Sequence, residues 1–222
     1  RTPLTALIGF IETLRGPARD DAKAAMRFLN IMQDEAERMN RLVGDLMSLN
    51  RVEGNERVRP TQRVVLNDII QSTCHSLQPL ALQAGVKFEI ESPESPVEIN
   101  GDADQLTQVF TNIIGNALKY GASGGRITLR MTTVAREAAL RAPGVRLQVI
   151  DYGAGIDPVH LPRLTERFYR VDGHRSRELG GTGLGLAIVK HIINRHRGKL
   201  NIESALGEGT TVTVMLPTEP LS

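Results

Sequence analysis

A run of glycines directly before a helical pattern is the strongest chemical signal in the sequence. The stretch LGGTGLGLAIVKHIINRHRGK, residues 179–199, contains Gly180, Gly181, Gly183 and Gly185 and then continues with apolar residues at helical spacing. Glycines leave backbone N–H groups uncovered, and the dipole at the start of a helix attracts anions. The stretch therefore predicts a phosphate-binding loop.

A second set of polar side chains lies on one face of a predicted helix from Asp104 to Tyr120. Asn112, Asn116 and Lys119 are four and three residues apart, away from the apolar stripe of that helix. An amide oxygen is a hard, uncharged ligand that suits a hydrated magnesium ion already carrying phosphate oxygens. The same spacing is typical of a solvated polar face, and by itself it favours that interpretation.

An acidic residue ends a predicted strand in the sequence VIDYGAGI. Asp151 is the last residue of the strand, and Gly153 and Gly155 follow it. A carboxylate can accept a hydrogen bond from an exocyclic amine, and glycines allow a flat ring to approach the backbone. Without other signals, the motif predicts only a turn.

Two common nucleotide-binding signatures do not fit this chain. Gly181, Gly183 and Gly185 form G-x-G-x-G late in the sequence, whereas the dinucleotide fingerprint is G-x-G-x-x-G after a first strand. The sequence contains no G-x-x-x-x-G-K-[ST] loop. The three motifs are weak one by one, but their order along one chain is much more specific.

The elements that position these residues begin with a helical hairpin. Apolar residues recur at helical spacing from Leu4 to Leu14 and from Leu29 to Leu46, on either side of the turn RGPARDD. The second helix is predicted from Ala25 to Arg51. Because two helices alone cannot bury these stripes, we expect a two-fold symmetric four-helix bundle with a second copy of the chain. A coiled-coil spacer remains an alternative.

The segment RVEGNERVRPTQ then interrupts the helical pattern with Gly and Pro, which indicates a linker. We divide the chain into a hairpin at 1–53, a linker at 54–63 and a second domain at 64–222. Strands and helices interleave in the second domain, and several strands follow one another through short turns. The predicted fold class is α+β, in which the hairpin precedes an α/β sandwich with a mixed sheet covered on one face. The predicted helices are 66–82, 104–120 and one ending near His196, and the predicted strands are 86–90, 97–101, 126–134, 145–151, 199–204 and 210–217.

Composition excludes several classes of protein. The 27 Lys and Arg residues nearly balance 25 Asp and Glu residues, so the formal charge of +2 gives no reason to expect nucleic acid as a partner. The single Cys74 excludes an internal disulfide and is typical of a reducing compartment. No apolar run approaches the roughly 20 residues that span a bilayer. We expect a soluble piece of a longer protein, because the chain starts at Arg1 within a helical pattern.

Five segments together resemble the sensor histidine kinases of two-component signalling, and within them the phosphate-regulon sensors. NIIGNALKYG, DYGAG, ERFYRVD and GGTGLGLAIVKHI are similar to the N, G1, F and G2 boxes of that family, and GEGTTVTVMLP is similar to its closing strand. The opening RTPLTALIGFIETL resembles the dimerisation helix just after its phosphoacceptor, in the group with the text H-E-L-R-T-P-L-T. The resemblance covers nearly the whole chain and implies a cytoplasmic kinase core.

The resemblance assigns roles in binding ATP and Mg²⁺. Asn116 would coordinate magnesium, Asn112 and Lys119 would lie near the phosphates, and Tyr120 would lie near the nucleotide. Asp151 would accept a hydrogen bond from the adenine amino group. The other residues of the implied nucleotide pocket are Gly153, Gly155, Phe168, Tyr169, Arg170, Gly181, Thr182, Gly183, Leu184, Gly185 and Leu186.

The resemblance also implies a lid over the phosphates. Phe168 to Arg170 would open it, Arg170 would reach toward a phosphate, and the glycine stretch would close it after the polar segment VDGHRSRELG. One residue departs from the family pattern, because Tyr152 stands where Asn often follows the G1 aspartate. This departure puts a local contact in doubt but not the adenine site.

The same alignment places the phosphoacceptor histidine three residues before Arg1. Thr2 then occupies the position that the family uses to orient water for phosphatase activity. We expect phosphotransfer to the receiver domain of a response regulator, homodimerisation through the hairpin, and a parent protein anchored in the inner membrane by upstream segments. The five histidines present are poor acceptor candidates, namely His75, His160, His174, His191 and His196.

Two other functions remain as alternatives. The ATP hydrolases of the same nucleotide fold, such as gyrase, have Glu at the first N-box position to activate water, whereas this chain has Asn112. A nucleotide-binding scaffold without catalysis is disfavoured, because every box is filled. The sequence therefore favours a kinase over a hydrolase or a scaffold.

Overall fold

The hairpin predicted at the start of the chain is present. The computed structural model describes residues 3–19, 21–54, 58–171 and 181–218. Helix α1 spans Pro3–Arg15 and helix α2 spans Ala22–Gly54. The Asp21 carboxylate accepts hydrogen bonds from the backbone N–H groups of Lys23 and Ala24, both at 3.0 Å, and so stabilises the start of α2. The rings of Phe10 and Phe28 lie 5.6 Å apart and join the two helices.

The apolar stripes of the hairpin remain largely exposed in the single chain. Large apolar side chains are exposed on both helices, and they include Leu4, Ile8, Ile11, Met26, Leu29, Val43, Leu46 and Met47. A soluble helix with such a stripe gains stability when another helix covers it. This exposure supports the bundle that the periodicity predicts.

The second domain is an α/β sandwich, as predicted. Its helices are α3 (Leu66–Gln83), α4 (Ala103–Gly121) and α5 (Gly185–Arg195). Its strands are β1 (Arg63–Val65), β2 (Lys87–Glu91), β3 (Glu98–Asn100), β4 (Arg126–Glu137), β5 (Ala142–Asp151), β6 (Lys199–Ala205) and β7 (Gly209–Pro217). Two short 3₁₀ segments lie at Ala122–Gly124 and Pro158–Arg163.

The sheet is mixed. Its strand order is β2-β4-β5-β7-β6, with β2 parallel to β4 and every other neighbouring pair antiparallel. Strands β1 and β3 form a separate antiparallel pair. Helices α3, α4 and α5 bury their apolar faces with one face of the large sheet, which forms a core that includes Ile70, Leu106, Phe110, Ile113, Ile127, Leu129, Val149, Ile188 and Ile192.

A buried histidine fastens the start of α4 to the end of α5. The Asp102 side chain caps α4 by accepting from the Gln105 N–H at 3.1 Å. The Asp102 N–H donates to Nε2 of His196 at 3.0 Å, and Nδ1 of the same ring lies 2.8 Å from the Ile192 carbonyl oxygen. A neutral imidazole satisfies both contacts, since one ring nitrogen accepts and the other donates. The ring therefore links the start of α4 to the end of α5.

Among the described residues, no helix is both long enough and apolar enough to cross a membrane.

Candidate functional site

The end of β5 forms a closed corner against the end of α4. Asp151 is only 8% exposed, and its Oδ1 accepts a hydrogen bond from the Gly153 N–H at 3.0 Å. A Cβ atom at Gly121 would lie 2.4 Å from the Asp151 Cβ, so only glycine permits this approach. Burial raises the pKa of Asp151, and the backbone N–H groups of Gly153 and Thr210 oppose that rise. The corner therefore holds a buried acceptor suited to an amino group.

The turn after Asp151 packs against the β6–β7 turn. Gly155 has a φ of +70°, and a Cβ there would lie 1.9 Å from the Ala205 carbonyl oxygen. Gly207 N–H donates to the Ala154 carbonyl oxygen at 2.8 Å. Gly153 is equally restricted, because its Cβ would meet the Gly121 Cα at 2.5 Å. The predicted pocket glycines thus allow backbone segments of the protein to pack closely.

Tyr152, the departure from the family pattern, makes its contacts away from Asp151. Its hydroxyl lies 3.1 Å from the Thr128 Oγ1, and the Arg126 guanidinium lies 4.2 Å from the centre of its ring. Successive side chains on a strand point to opposite faces of the sheet. The tyrosine at position 152 therefore changes contacts on the face of the sheet opposite the buried Asp151 carboxylate.

The polar face of α4 lies beside the glycine stretch. The Asn112 side-chain amide donates to the Gly185 carbonyl oxygen at 3.4 Å, a long hydrogen bond. Asn116, one turn later, is half-buried, and among the described residues its amide has no hydrogen-bond partner. Burial lowers the pKa of Lys119, and the positive charges of Arg41 and Arg170 contribute, while Asp45 opposes them. Tyr120, at the end of this face, is exposed.

The segment around Phe168 packs backbone to backbone against the glycine stretch. Phe168 has a φ of +62°, and its N–H donates to the Gly183 carbonyl oxygen at 2.8 Å. Gly183 has a φ of +76°, and a Cβ there would lie 2.8 Å from the Phe168 Cα. The Phe168 side chain is exposed. The F and G2 motifs are therefore in contact at the site.

A histidine that sequence reasoning left without a role supports Tyr169. His160 Nδ1 lies 2.6 Å from the Tyr169 hydroxyl, and the Arg163 guanidinium lies 4.1 Å from the centre of the tyrosine ring. His160 comes from the 3₁₀ segment, with no motif around it, so no sequence signal predicted this contact. Together His160 and Arg163 hold Tyr169 next to Phe168 and the half-buried Arg170.

The glycine stretch is anchored by one buried side chain and leads directly into α5. Leu184 is fully buried, and Leu186 is half-buried in the first turn of the helix. The Leu184 N–H donates to the Thr182 Oγ1 at 3.3 Å. Gly181 and Gly185 are half-buried on either side of these residues. This geometry fits the predicted anion loop at the start of a helix.

The C-terminal part of α2 packs directly on this site, which the sequence did not predict. Leu49 and Val52 are 1% and 2% exposed and belong to the core of the second domain. Ser48 Oγ donates to Gln108 Oε1 at 2.9 Å. The Glu53 carboxylate pairs with Arg167 and lies 3.2 Å from the His191 Nε2.

The described contacts bring together four predicted parts of the site, namely Asp151, the polar face of α4, the segment around Phe168 and the glycine stretch. Asp151 and the end of α4 meet at one corner, the Asn112 amide contacts Gly185, and Phe168 contacts Gly183. No group of three or more His, Cys, Asp or Glu side chains suited to a metal is present in the part of the chain that the structure describes. The calls on Thr2, His174 and Gly180 lie outside the described residues.

Two family profiles cover most of the chain. The family described as His Kinase A (phospho-acceptor) domain matches residues 1–55, and the family described as histidine kinase-, DNA gyrase B- and HSP90-like ATPase matches residues 101–220. The second match covers the α4 face, Asp151 and the glycine stretch. ATP use by this domain follows from that match.

Curated relatives match along nearly the whole chain. The chain is 41% identical over 214 residues to the phosphate regulon sensor protein PhoR of Pseudomonas aeruginosa, covering 96% of this chain and 46% of that protein. It is 36% identical over 217 residues to the sensor histidine kinase WalK of Bacillus subtilis, covering 98% of this chain and 34% of that protein. The chain thus spans less than half the length of these relatives.

Solved structures share the fold. The Acinetobacter baumannii histidine kinase AdeS aligns with a TM-score of 0.74 at 24% identity, over 99% of this chain and 97% of that chain. The histidine kinase ThkA, in complex with the response regulator protein TrrA, also aligns with a TM-score of 0.74, at 21% identity, over 99% of this chain and 59% of that chain.

Proposed function

The chain belongs to the sensor histidine kinases, and we propose that it is an ATP-dependent kinase core that phosphorylates a histidine of its own hairpin. The observation that carries this proposal is the packing of α2 on the phosphate-binding side of the predicted nucleotide site. Thr182 of the glycine stretch donates to Asp45 of α2 at 2.6 Å, and the charge of Arg41 of α2 contributes to lowering the pKa of Lys119. The phosphate end of the site therefore faces the hairpin that receives the phosphoryl group.

Adenine binds at the corner formed by β5 and α4. The Asp151 carboxylate accepts a hydrogen bond from the adenine amino group, because it is buried and already oriented by the Gly153 N–H. The triphosphate then extends along the polar face of α4 toward the glycine stretch, where the helix dipole of α5 and the uncovered amides favour negative charge. Lys119 and Arg170 add positive charge on the same side.

Asn116 is the residue that fits a magnesium ion. Its half-buried amide has no partner among the described residues, and Mg²⁺ usually keeps several waters while it binds one or two protein oxygens and the phosphates. The absence of an acidic cluster in the described residues is compatible with this mode, in which the nucleotide supplies most of the charged ligands. When bound, the ion offsets negative charge on the transferring phosphoryl group.

This chain's residues position the reactants. Asn112 ties α4 to the start of α5, and Phe168 ties the F motif to the glycine stretch, so the phosphate tail is held between two fixed elements. A neutral imidazole from the hairpin then attacks the γ-phosphorus in line, and ADP leaves. By the resemblance, that histidine lies three residues before Arg1.

Three of the four described histidines have contacts that suit structural roles, and His75 is exposed on α3. His196 is buried and makes two contacts through its ring nitrogens, and His160 contacts Tyr169. His191 faces Glu53 at the domain junction. These contacts support an acceptor elsewhere.

The later steps follow from the family. The phosphohistidine transfers its phosphoryl group to an aspartate of a response regulator receiver domain, and the homodimer forms through the exposed stripes of α1 and α2. Thr2 orients the water that hydrolyses the phosphoaspartate of the regulator to aspartate and inorganic phosphate. The solved ThkA structure is a complex with a response regulator protein, which supports this kind of partner.

An ATP-hydrolysing conformational switch is the second candidate. Its family pattern places a water-activating Glu at the first N-box position, where this chain has Asn112. The Asn112 amide donates to Gly185 rather than acting as a base. This observation favours phosphoryl transfer over hydrolysis.

Labelling with γ-³²P ATP tests the proposal. A version of the chain extended upstream through the H-E-L segment should acquire an acid-labile, base-stable label, and replacement of the added histidine by Gln should abolish it. The 222-residue chain should bind nucleotide without labelling itself. Steady phosphate release without any labelled histidine would instead identify a hydrolase, and strong labelling of the 222-residue chain would refute the alignment.

A further inference from the structure

A carboxylate from the hairpin occupies the phosphate side of the predicted nucleotide site. Asp45 lies on α2, half-buried, and its Oδ2 accepts the Thr182 hydroxyl at 2.6 Å. Thr182 sits between Gly181 and Gly183, in the loop that precedes α5. This distance is in the range of a strong, charge-assisted O–H···O⁻ hydrogen bond.

Asp45 lies among groups that also suit a bound anion, because it contacts the glycine stretch and acts electrostatically on Lys119. Arg41 lies one helical turn earlier on α2, and both residues act electrostatically on Lys119 of α4, as does Arg170. The Asp45 carboxylate therefore accepts from a hydroxyl next to the start of a helix, and it shares the neighbourhood of Lys119 with two further positive charges. Phosphate oxygens and carboxylate oxygens use the same donors.

The contact is held in place by the rest of the domain junction. Leu49 and Val52, one and two turns further along α2, are buried in the core of the second domain. Ser48 donates to Gln108 of α4 at 2.9 Å. This packing fixes the α2 backbone near the glycine stretch, so the Asp45 carboxylate stays within reach of Thr182.

We propose that Asp45 is an internal competitor for the terminal phosphates of ATP, whose carboxylate holds the Thr182 hydroxyl until the nucleotide replaces it. The proposal rests on the nucleotide site proposed above. Binding of the triphosphate breaks the Asp45–Thr182 hydrogen bond, so ATP loosens the glycine stretch from α2. The part of the nucleotide that Asp45 opposes is the phosphate tail and not the base.

Calorimetric titration of the 222-residue chain distinguishes this role from a simple packing role. The probes are the β,γ-imido analogue of ATP and AMP, which lacks the β- and γ-phosphates, both with magnesium. Asp45→Asn should tighten binding of the ATP analogue by about tenfold, because a charge-assisted hydrogen bond no longer competes. AMP affinity should not change. Asp34→Asn is the matched control, since it removes the same charge from an exposed position of the same helix.

A second control separates the carboxylate from docking in general. Ser48→Ala removes a neutral hydrogen bond of the same junction and should leave the preference for the ATP analogue over AMP unchanged. The proposal is wrong if Asp45→Asn binds the analogue no more tightly than wild type, if AMP gains equally, or if Asp34→Asn or Ser48→Ala reproduces the effect.

Hydrogen exchange without nucleotide gives a readout that does not depend on the nucleotide site. The backbone amides of residues 181–185 should exchange faster in Asp45→Asn than in wild type, because the loop has lost its contact with α2. Unchanged exchange would overturn the proposal. If wild type and Asp45→Asn both fail to bind the ATP analogue while the exchange does increase, the contact holds the loop but the nucleotide site itself is refuted, and the competitor role is refuted with it.

Discussion

Asp151→Asn is the substitution that tests the adenine site most directly. The carboxylate is 8% exposed and held by the Gly153 N–H, so it does not reorganise when it accepts the adenine amino group. Hydrogen bonds to a charged group contribute about 1.5–3 kcal/mol, which corresponds to a loss of roughly 10- to 100-fold in ATP affinity. Asparagine has the same shape, so the corner between β5 and α4 should keep its packing.

The nucleotide specificity should change together with the affinity. Guanine presents a carbonyl oxygen where adenine presents an amino group, and a carboxylate repels that oxygen. The amide of Asp151→Asn can donate to it. We therefore expect wild type to prefer ATP over GTP and the variant to lose most of that preference.

Titration calorimetry with ATP and GTP measures both effects. Asp104→Asn is the matched control, because it replaces the same carboxylate by the same amide at an exposed position in the first turn of α4. A cooperative thermal unfolding transition in each variant would show that both variants are folded. An Asp151→Asn affinity for ATP within about threefold of wild type, with the ATP preference retained, would refute the assignment of Asp151 to adenine.

Three further predictions concern the remaining parts of the chain. Burial lowers the pKa of His196, so the unfolded chain binds more protons than the folded chain at mildly acidic pH. The free energy of unfolding should therefore fall as the pH drops below about 6.5. In urea unfolding at several pH values, His196→Gln should flatten this dependence. If the hairpin forms a homodimer, light scattering at micromolar concentration should give twice the chain mass. Ile8→Glu, on the exposed face of α1, should shift the mass toward that of the monomer. A monomeric wild type would contradict the bundle. In a version extended upstream, Thr2→Ala should retain autophosphorylation and lose most phosphatase activity toward the regulator, whereas an equal loss of both would make Thr2 a structural residue.

The local elements of the fold could be predicted because they depend on short-range periodicity. The predicted helix from Asp104 to Tyr120 differs from α4 by one residue at each end, since its apolar residues repeat every three or four positions. Helix α2 begins at Ala22, three residues before the predicted start, where Asp21 supplies the cap. Strand order and the parallel β2–β4 pair came from the structure, because pairing depends on the path of the chain between strands.

The sequence alone predicted the chemical nature of the site, through the order of its motifs along the chain. The glycine stretch, the α4 amides and Asp151 are recognisable from residue type and spacing, because each motif lies within one turn or one helix. Tertiary structure decided what surrounds them. Asp45 contacts Thr182 and Ser48 contacts Gln108 across separations of 137 and 60 residues, and no local pattern records such pairs. Helical spacing predicted that α2 buries a stripe, but only the packing of the two domains decided that its last turns lie against the predicted phosphate loop. Such packing depends on the shapes and charges of surfaces that are far apart in the sequence.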